Sequence, residues 1–290
     1  MTNFPYRKLS QLLSFLELSK VSELEYSTPG LKRSSRIFGG QVLAQALMAA
    51  GKTVNDEKTP HSMHCYFLKA GNSAKDVLYT VTPMTDGRSF SARQVIATQD
   101  GRAIFSCTIS YHITELGLQH QSTIPDVPHP DTLISRTEFA QQMQDKYGAD
   151  KRSSYRMPPI EIKPLSPRDS FEPHIDNEPT GHWMRIREPL GEDNSLHVIM
   201  LTYMSDLTLL GTAFRPHPYT PESSGIQFAS LDHSIWFHDI FRADEWLFFH
   251  QDSPVASGAR GFNRATVYTQ DGRLVASLSQ ENLMRVAPTN

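Results

Sequence analysis

One pentapeptide occurs twice in this chain. Thr98-Gln99-Asp100-Gly101-Arg102 returns as Thr269-Gln270-Asp271-Gly272-Arg273, 171 positions later (98 against 269). At that spacing Arg264 answers Arg93, and 265–268 answer 94–97. A second echo, His61-Ser62-Met63 against His233-Ser234-Ile235, keeps the same order at 172 positions (61 against 233). Two echoes at nearly one spacing imply a duplicated unit. Asp-Gly supplies the positive-φ residues that a tight connection between twisted strands needs, so each copy reads as a β-hairpin.

The duplication separates scaffold from chemistry. Along the strand expected over 273–281, Leu274, Ala276, Leu278 and Gln280 share one face, because side chains alternate. Their first-half partners are Ala103, Phe105, Cys107 and Ile109. Gln280 therefore stands where the other half has an isoleucine. A buried amide costs roughly 1–3 kcal/mol if unpaired, so it is expected to bond another polar group.

The repeat divides the 290 residues into two halves. The expected boundaries are a first domain at 1–113, a connector at 114–158 and a second domain at 159–290. Leu9, Leu12, Leu13 and Leu16 predict a short amphipathic helix over 7–18. Gly39-Gly40-Gln41 opens a second helix whose stripe is Val42, Leu43, Ala46, Leu47 and Ala50. Strands follow at 62–68, 77–84, 89–98 and 102–112. The connector is proline-rich, with one short helix at 137–146. In the second half, strands are expected from 160 and at 183–188. A helix runs from the cap candidates Asn194 and Ser195 to Leu210, and strands follow at 230–237, 245–250, 262–269 and 273–284. Each half thus reads as an α+β unit, one helix covering an antiparallel sheet.

A formal charge of −3 gives no polybasic signature and excludes nucleic acid as an expected partner. Cys65 and Cys107 show neither Cys-x-x-Cys spacing nor a disulfide framework, which suits a reducing compartment. The start, Met1 to Arg7, lacks an apolar signal core, and the end, Ala287-Pro288-Thr289-Asn290, is not a peroxisomal address. No run approaches the ~18 apolar residues of a membrane span. These features point to a soluble, cytoplasmic protein with no membrane partner.

Among candidate residues, Asp206 shares a helix face with Ile199, Tyr203 and Leu210, so its carboxylate projects from the buried stripe. Such a carboxylate is paired or has a raised pKa, and both suit a general base. The other reading is a last-turn residue that reaches solvent. Ser230, at the head of the strand bearing the second His-Ser echo, reads by itself as a turn residue. His61 and His233 read as scaffold groups matched across the halves. Asp232 and His233 alternate on a strand and cannot form a dyad. The spacings His61/His64 and His233/His238 do not suit a metal, so no metal is expected. The chain lacks a Gly-x-Ser-x-Gly elbow, a phosphate loop and a dinucleotide fingerprint, and no cofactor is expected.

Several stretches together resemble the bacterial acyl-CoA thioesterase II family: 36–41 (Arg36 to Gln41), 61–68, 87–93, Ser205-Asp206-Leu207, 231–238 and 259–262. The resemblance spans nearly the whole chain. It implies a double hotdog, two tandem units each wrapping a curved antiparallel sheet around a long helix. It also implies hydrolysis of fatty acyl-CoA to fatty acid and coenzyme A, and a homo-oligomer, dimer or tetramer. The family's catalytic carboxylate carries over to Asp206, its hydroxyl to Ser230, where bacterial members often have threonine, and its glutamine to Gln280. On that footing the amides of Gly40 and Gln41 are expected to meet the oxyanion. Arg36, Arg88 and Arg260 are candidates for the nucleotide phosphates, and Leu43, Leu47 and Leu207 for the acyl chain. The alternatives are a hydratase or dehydratase on the same fold, which needs an aspartate and a histidine placed together, and a non-catalytic acyl-CoA-binding protein.

Overall fold

The computed structural model describes residues 7–31, 35–148, 159–169 and 172–287. The chain start at 1–6, the end of the expected connector and most of the last four residues lie outside these ranges. The helices are α1 (Leu9–Leu16), α2 (Gly39–Gly51), α3 (Arg136–Tyr147), α4 (Asn194–Ser205) and α5 (Leu209–Thr212). First-half strands are β1 (Ser19–Lys20), β2 (Glu25–Thr28), β3 (Lys58–Phe67), β4 (Val77–Asp86), β5 (Phe90–Gln99) and β6 (Arg102–Ile113). Second-half strands are β7 (Ile160–Pro164), β8 (Thr180–Ile186), β9 (Ile226–Ser230), β10 (Asp232–Phe237), β11 (Leu247–Ser257), β12 (Arg260–Thr269) and β13 (Leu274–Val286).

All these strands join one antiparallel sheet in the order β1-β2-β4-β5-β6-β3-β10-β13-β12-β11-β8-β7, with β9 beside β13. The order reads alike from either end toward the β3–β10 seam, where Cys65 pairs with His233 and Met63 with Ile235. The helices α2 and α4 lie side by side beneath the two half-sheets, and both are buried over nearly their whole length. Gly40 allows that close approach, since a β-carbon there would run into the Tyr203 carbonyl oxygen on α4. This is the double hotdog that the resemblance implies.

The duplicated pentapeptides form different turns. In the first copy Asp100 (φ 50) and Gly101 (φ 72) make a two-residue loop closed by Gln99 and Arg102. In the second, of these two residues, Gly272 (φ 89) takes positive φ, and the loop is longer: Tyr268 pairs with Leu274 and the Thr269 amide donates to Arg273 O (2.9 Å). The Thr269 hydroxyl bonds Asp271 there, whereas Asp100 pairs with Lys75. The changed register sets Ile109 opposite Arg93 but Ser279 opposite Arg264. Arg93 is accordingly buried (3%) while the Arg264 side chain is 55% exposed, although the letters match.

Ile109 and Gln280 keep the same inward face. Met63 lies opposite Ile109, and the pairing of Ser234 with Ser279 sets His233 opposite Gln280. His233 thus occupies the place of Met63 and not that of His61, so the second echo is out of register by two residues. Both histidines do make hydrogen bonds: His61 Nε2 with Ser110 Oγ (2.8 Å) and His233 Nε2 with Ser205 Oγ (2.9 Å).

Candidate active site

The helix expected to run to Leu210 stops at Ser205, and Asp206 is its C-cap, with φ −94 and ψ 2. Two side chains compete with the backbone ladder in the last turns: Thr202 Oγ1 donates to Val198 O and Ser205 Oγ to Thr202 O, each at 2.8 Å. The start of the helix also differs from expectation. Its N-cap is Asp193, whose carboxylate accepts from the Ser195 amide. Ser230 ends β9 instead of heading a strand, because the expected strand over 230–237 is broken at Leu231.

Asp206, Ser230 and Gln280 come together. Gln280 Nε2 donates to Asp206 Oδ1 at 2.7 Å, and Ser230 Oγ donates to the same oxygen at 3.3 Å. The Gly40 amide donates to Oδ2 at 3.0 Å. An ionised carboxylate offers about four acceptor positions, so these three bonds leave about one on Oδ2. The carboxylate faces the N-terminus of α2, where the helix dipole favours an anion. Burial pushes the Asp206 pKa up to about 6, against the opposing pull of the bonds from Gln280, Gly40 and Ser230.

Two glycines make room for this packing. A β-carbon at Gly40 would press into the carbonyl oxygen of Tyr203 and the ring of Phe38. One at Gly39 would meet Asp206 Oδ2 and the Phe67 ring. Phe38 and Tyr203 in turn pack edge to face, with ring centroids 5.1 Å apart, and fasten α2 to α4.

The two amides expected to meet the oxyanion both have partners in this structure. The Gly40 amide is directed at Asp206, and the Gln41 amide donates to Phe38 O at 3.1 Å as part of the first helical turn. The Gln41 side chain is buried and bonds Gln45, which also accepts from Tyr79. The first half thus has buried polar groups of its own on its inner side, and Arg93 is another.

The three arginines separate. Arg36 lies near the site, its Nη1 donating to Phe228 O two residues before Ser230 (3.3 Å). Arg260 bonds Glu281, the neighbour of Gln280, at 2.8 Å. Arg88 sits on the β4–β5 turn, which reaches the Lys58 end of β3 through the bond from Lys58 Nζ to Gly87 O. The site adjoins Phe67 at the other end of that strand, about 30 Å away for ten residues. The structure does not bring Arg88 to Asp206.

Sequence reasoning missed the Gly40 amide bond, the bond between Ser205 and His233, and the fully buried Asn263 beside Gln280. Alternation along 261–269 could have flagged Asn263 as a polar residue on an inward face. Among the described residues no cluster could hold a metal ion, and no helix is long and apolar enough to cross a membrane.

The comparisons with known proteins agree on one family. A model described as acyl-CoA thioesterase matches residues 164–283, and one described as acyl-CoA thioesterase N-terminal domain matches 28–112. Human acyl-coenzyme A thioesterase 8 is 38% identical over 269 residues, spanning 88% of this chain and 82% of that protein. Acyl-CoA thioesterase 2 of Haemophilus influenzae is 31% identical over 286 residues, spanning 96% and 98%. The crystal structure of an acyl-CoA thioesterase II from Mycobacterium marinum superposes with a TM-score of 0.78 at 36% identity, covering 95% of this chain and 98% of that one. A hot dog fold protein from Alicyclobacillus acidocaldarius, 19% identical, shares the fold with a TM-score of 0.74. With both halves of the chain matched and relatives above 30% identity along most of its length, this protein belongs to the acyl-CoA thioesterase family.

Proposed function

We propose that this protein hydrolyses fatty acyl-CoA thioesters to a free fatty acid and coenzyme A, with Asp206 as general base. The observation that carries the reading is a carboxylate enclosed by Gln280, Ser230 and Gly40, with its pKa raised to about 6 and one acceptor position left. Sulfur stabilises a carbonyl poorly by resonance, and a thiol of pKa ~8.5 leaves without an acid. An oriented water then suffices. Asp206 Oδ2 takes a proton from water as its oxygen bonds the carbonyl carbon, and the carbon–sulfur bond breaks to release thiolate. Gln280 and Ser230 hold the base and the water's surroundings in place. The Gly40 amide orients the base, and it can serve an oxyanion once Asp206 is protonated and its hold on that amide weakens.

Arg36 and Arg260, at the site end of the sheet, are the better placed of the three arginines for the nucleotide phosphates; Arg88 serves a remote contact at most. Leu43, Leu47 and Leu207 lie in the core beneath the sheet, where an acyl chain would run. The free, buried Cys65 and Cys107 support a cytoplasmic setting. Tyr66 (65% exposed) and Trp236 (37% exposed), on the outer face of the seam, support self-association into a dimer or tetramer.

Thiol release from palmitoyl-CoA and from crotonyl-CoA tests the function. Release from palmitoyl-CoA supports hydrolysis. Hydration of crotonyl-CoA with no thiol released would instead support the hydratase reading, and tight stoichiometric binding with no turnover the binding protein.

A further inference from the structure

Three buried hydrogen-bond acceptors stand in a row across three neighbouring strands behind Asp206. Gln280 on β13 pairs directly with Asn263 on β12, and His233 on β10 lies on its other side. All three residues are 0% exposed. Gln280 Oε1, Asn263 Oδ1 and His233 Nδ1 each lack a protein hydrogen-bond partner among the described residues.

Chemistry fixes each group as an acceptor. Turning the Gln280 amide over would set its oxygen against the Asp206 carboxylate, which its Nε2 now meets at 2.7 Å. Turning Asn263 over would set its oxygen against the carbonyl of Gln280, to which its Nδ2 donates at 3.3 Å, and against Asn282 Oδ1. The Ser205 hydroxyl spends its proton on Thr202 O, so it accepts from His233 Nε2–H, and His233 Nδ1 carries the lone pair. Opposed residues on one face of an antiparallel pair have β-carbons about 5 Å apart, so the row is contiguous. Buried polar atoms are almost always partnered, by water where protein offers nothing.

We propose that Gln280 Oε1, Asn263 Oδ1 and His233 Nδ1 form a buried water-binding site on the far side of the Gln280 amide from Asp206. Acceptors with no donor select neutral O–H donors and reject an anion or a carbonyl; a water, with two protons, donates to Gln280 Oε1 and to one of its two flanking acceptors. The water bound there is distinct from the attacking water, because the Gln280 amide lies between them. By donating to Gln280 Oε1 it locks the amide with its NH₂ on Asp206, which makes Asn263 a positioning residue. The existence of the site is independent of the thioesterase function; the effect on Asp206 rests on that function.

A crystal structure of the full chain at a resolution that orders internal water is the test. The expected result is a water oxygen ~2.7–3.2 Å from Gln280 Oε1 and from Asn263 Oδ1 or His233 Nδ1. A dry row, or side chains turned so that protein donors meet these acceptors directly, would overturn the proposal. Asn263→Leu is expected to lower kcat by roughly 10- to 100-fold with KM nearly unchanged, since the base is held less well while binding persists. A folded Asn263→Leu protein with native kcat would overturn the positioning role. If that variant does not fold, the wild-type crystal still decides the site. A wild-type chain that released no thiol would count against the thioesterase function and leave the water density to decide this inference.

Discussion

Gly39 faces Asp206 so closely that a β-carbon at Gly39 would stand 2.5 Å from Asp206 Oδ2 and 3.0 Å from the Phe67 ring. The absence of a side chain there leaves room for the carboxylate. Gly39→Ala is therefore expected to displace the base, lowering kcat by roughly 10- to 100-fold while the protein stays folded. At Gly40 the obstacle is the backbone carbonyl of Tyr203, which cannot turn aside. Gly40→Ala is expected to force α2 from α4 and cost about 1–3 kcal/mol, read as a lower midpoint in urea.

The raised pKa of Asp206 gives activity a defined acid limb. A base works only when ionised, so kcat is expected to rise with pH and reach half its plateau near pH 6. The bonds from Gln280 and Ser230 favour the ionised form and pull the pKa down. Removing either in Gln280→Ala or Ser230→Ala is expected to move the limb to higher pH, with the larger move for Gln280. A pH–rate series on the three proteins checks the order.

Arg93 offers a control at a distance. Its buried guanidinium donates to Thr53 Oγ1 and Thr53 O at the end of α2, to the Thr85 and Ala92 carbonyls, and to Asp86. Arg93→Met leaves those acceptors unpaired and is expected to cost on the order of 3 kcal/mol. Because these contacts are with the C-terminal end of α2 and Asp206 meets its N-terminal end, KM and kcat of the folded fraction should be unchanged. Denaturant unfolding and thiol release on one preparation separate the two effects.

Much of the fold was legible from the sequence, because hydrophobic period and Asp-Gly turns are local signals. They located α1, α2, α3 and most strands to within a few residues. The short edge strands β1 and β2 carried no such signal. The helix expected over 194–210 is too long because apolar residues continue past Ser205, while the backbone leaves helical geometry at Asp206 (φ −94, ψ 2). Equal letters in the repeat did not secure equal places. One extra turn residue between β12 and β13 put Arg264 on the surface, and a separate two-residue offset of β10 put His233 in the place of Met63, both visible only once the strands are paired. In the site, Gln280 emerged from comparing the halves, Asp206 from its place on an apolar helix face, and Ser230 from the resemblance. The Gly40 amide that faces Asp206 depends on two helices meeting across 166 residues of chain, which no local pattern encodes.

Thiol release from palmitoyl-CoA by wild type and by Asp206→Asn, with circular dichroism to establish that both are folded, tests the general base most directly. A base at Asp206 predicts wild-type turnover and a variant slower by roughly 10²–10⁴-fold. A folded Asp206→Asn protein that releases thiol at nearly the wild-type rate would contradict it.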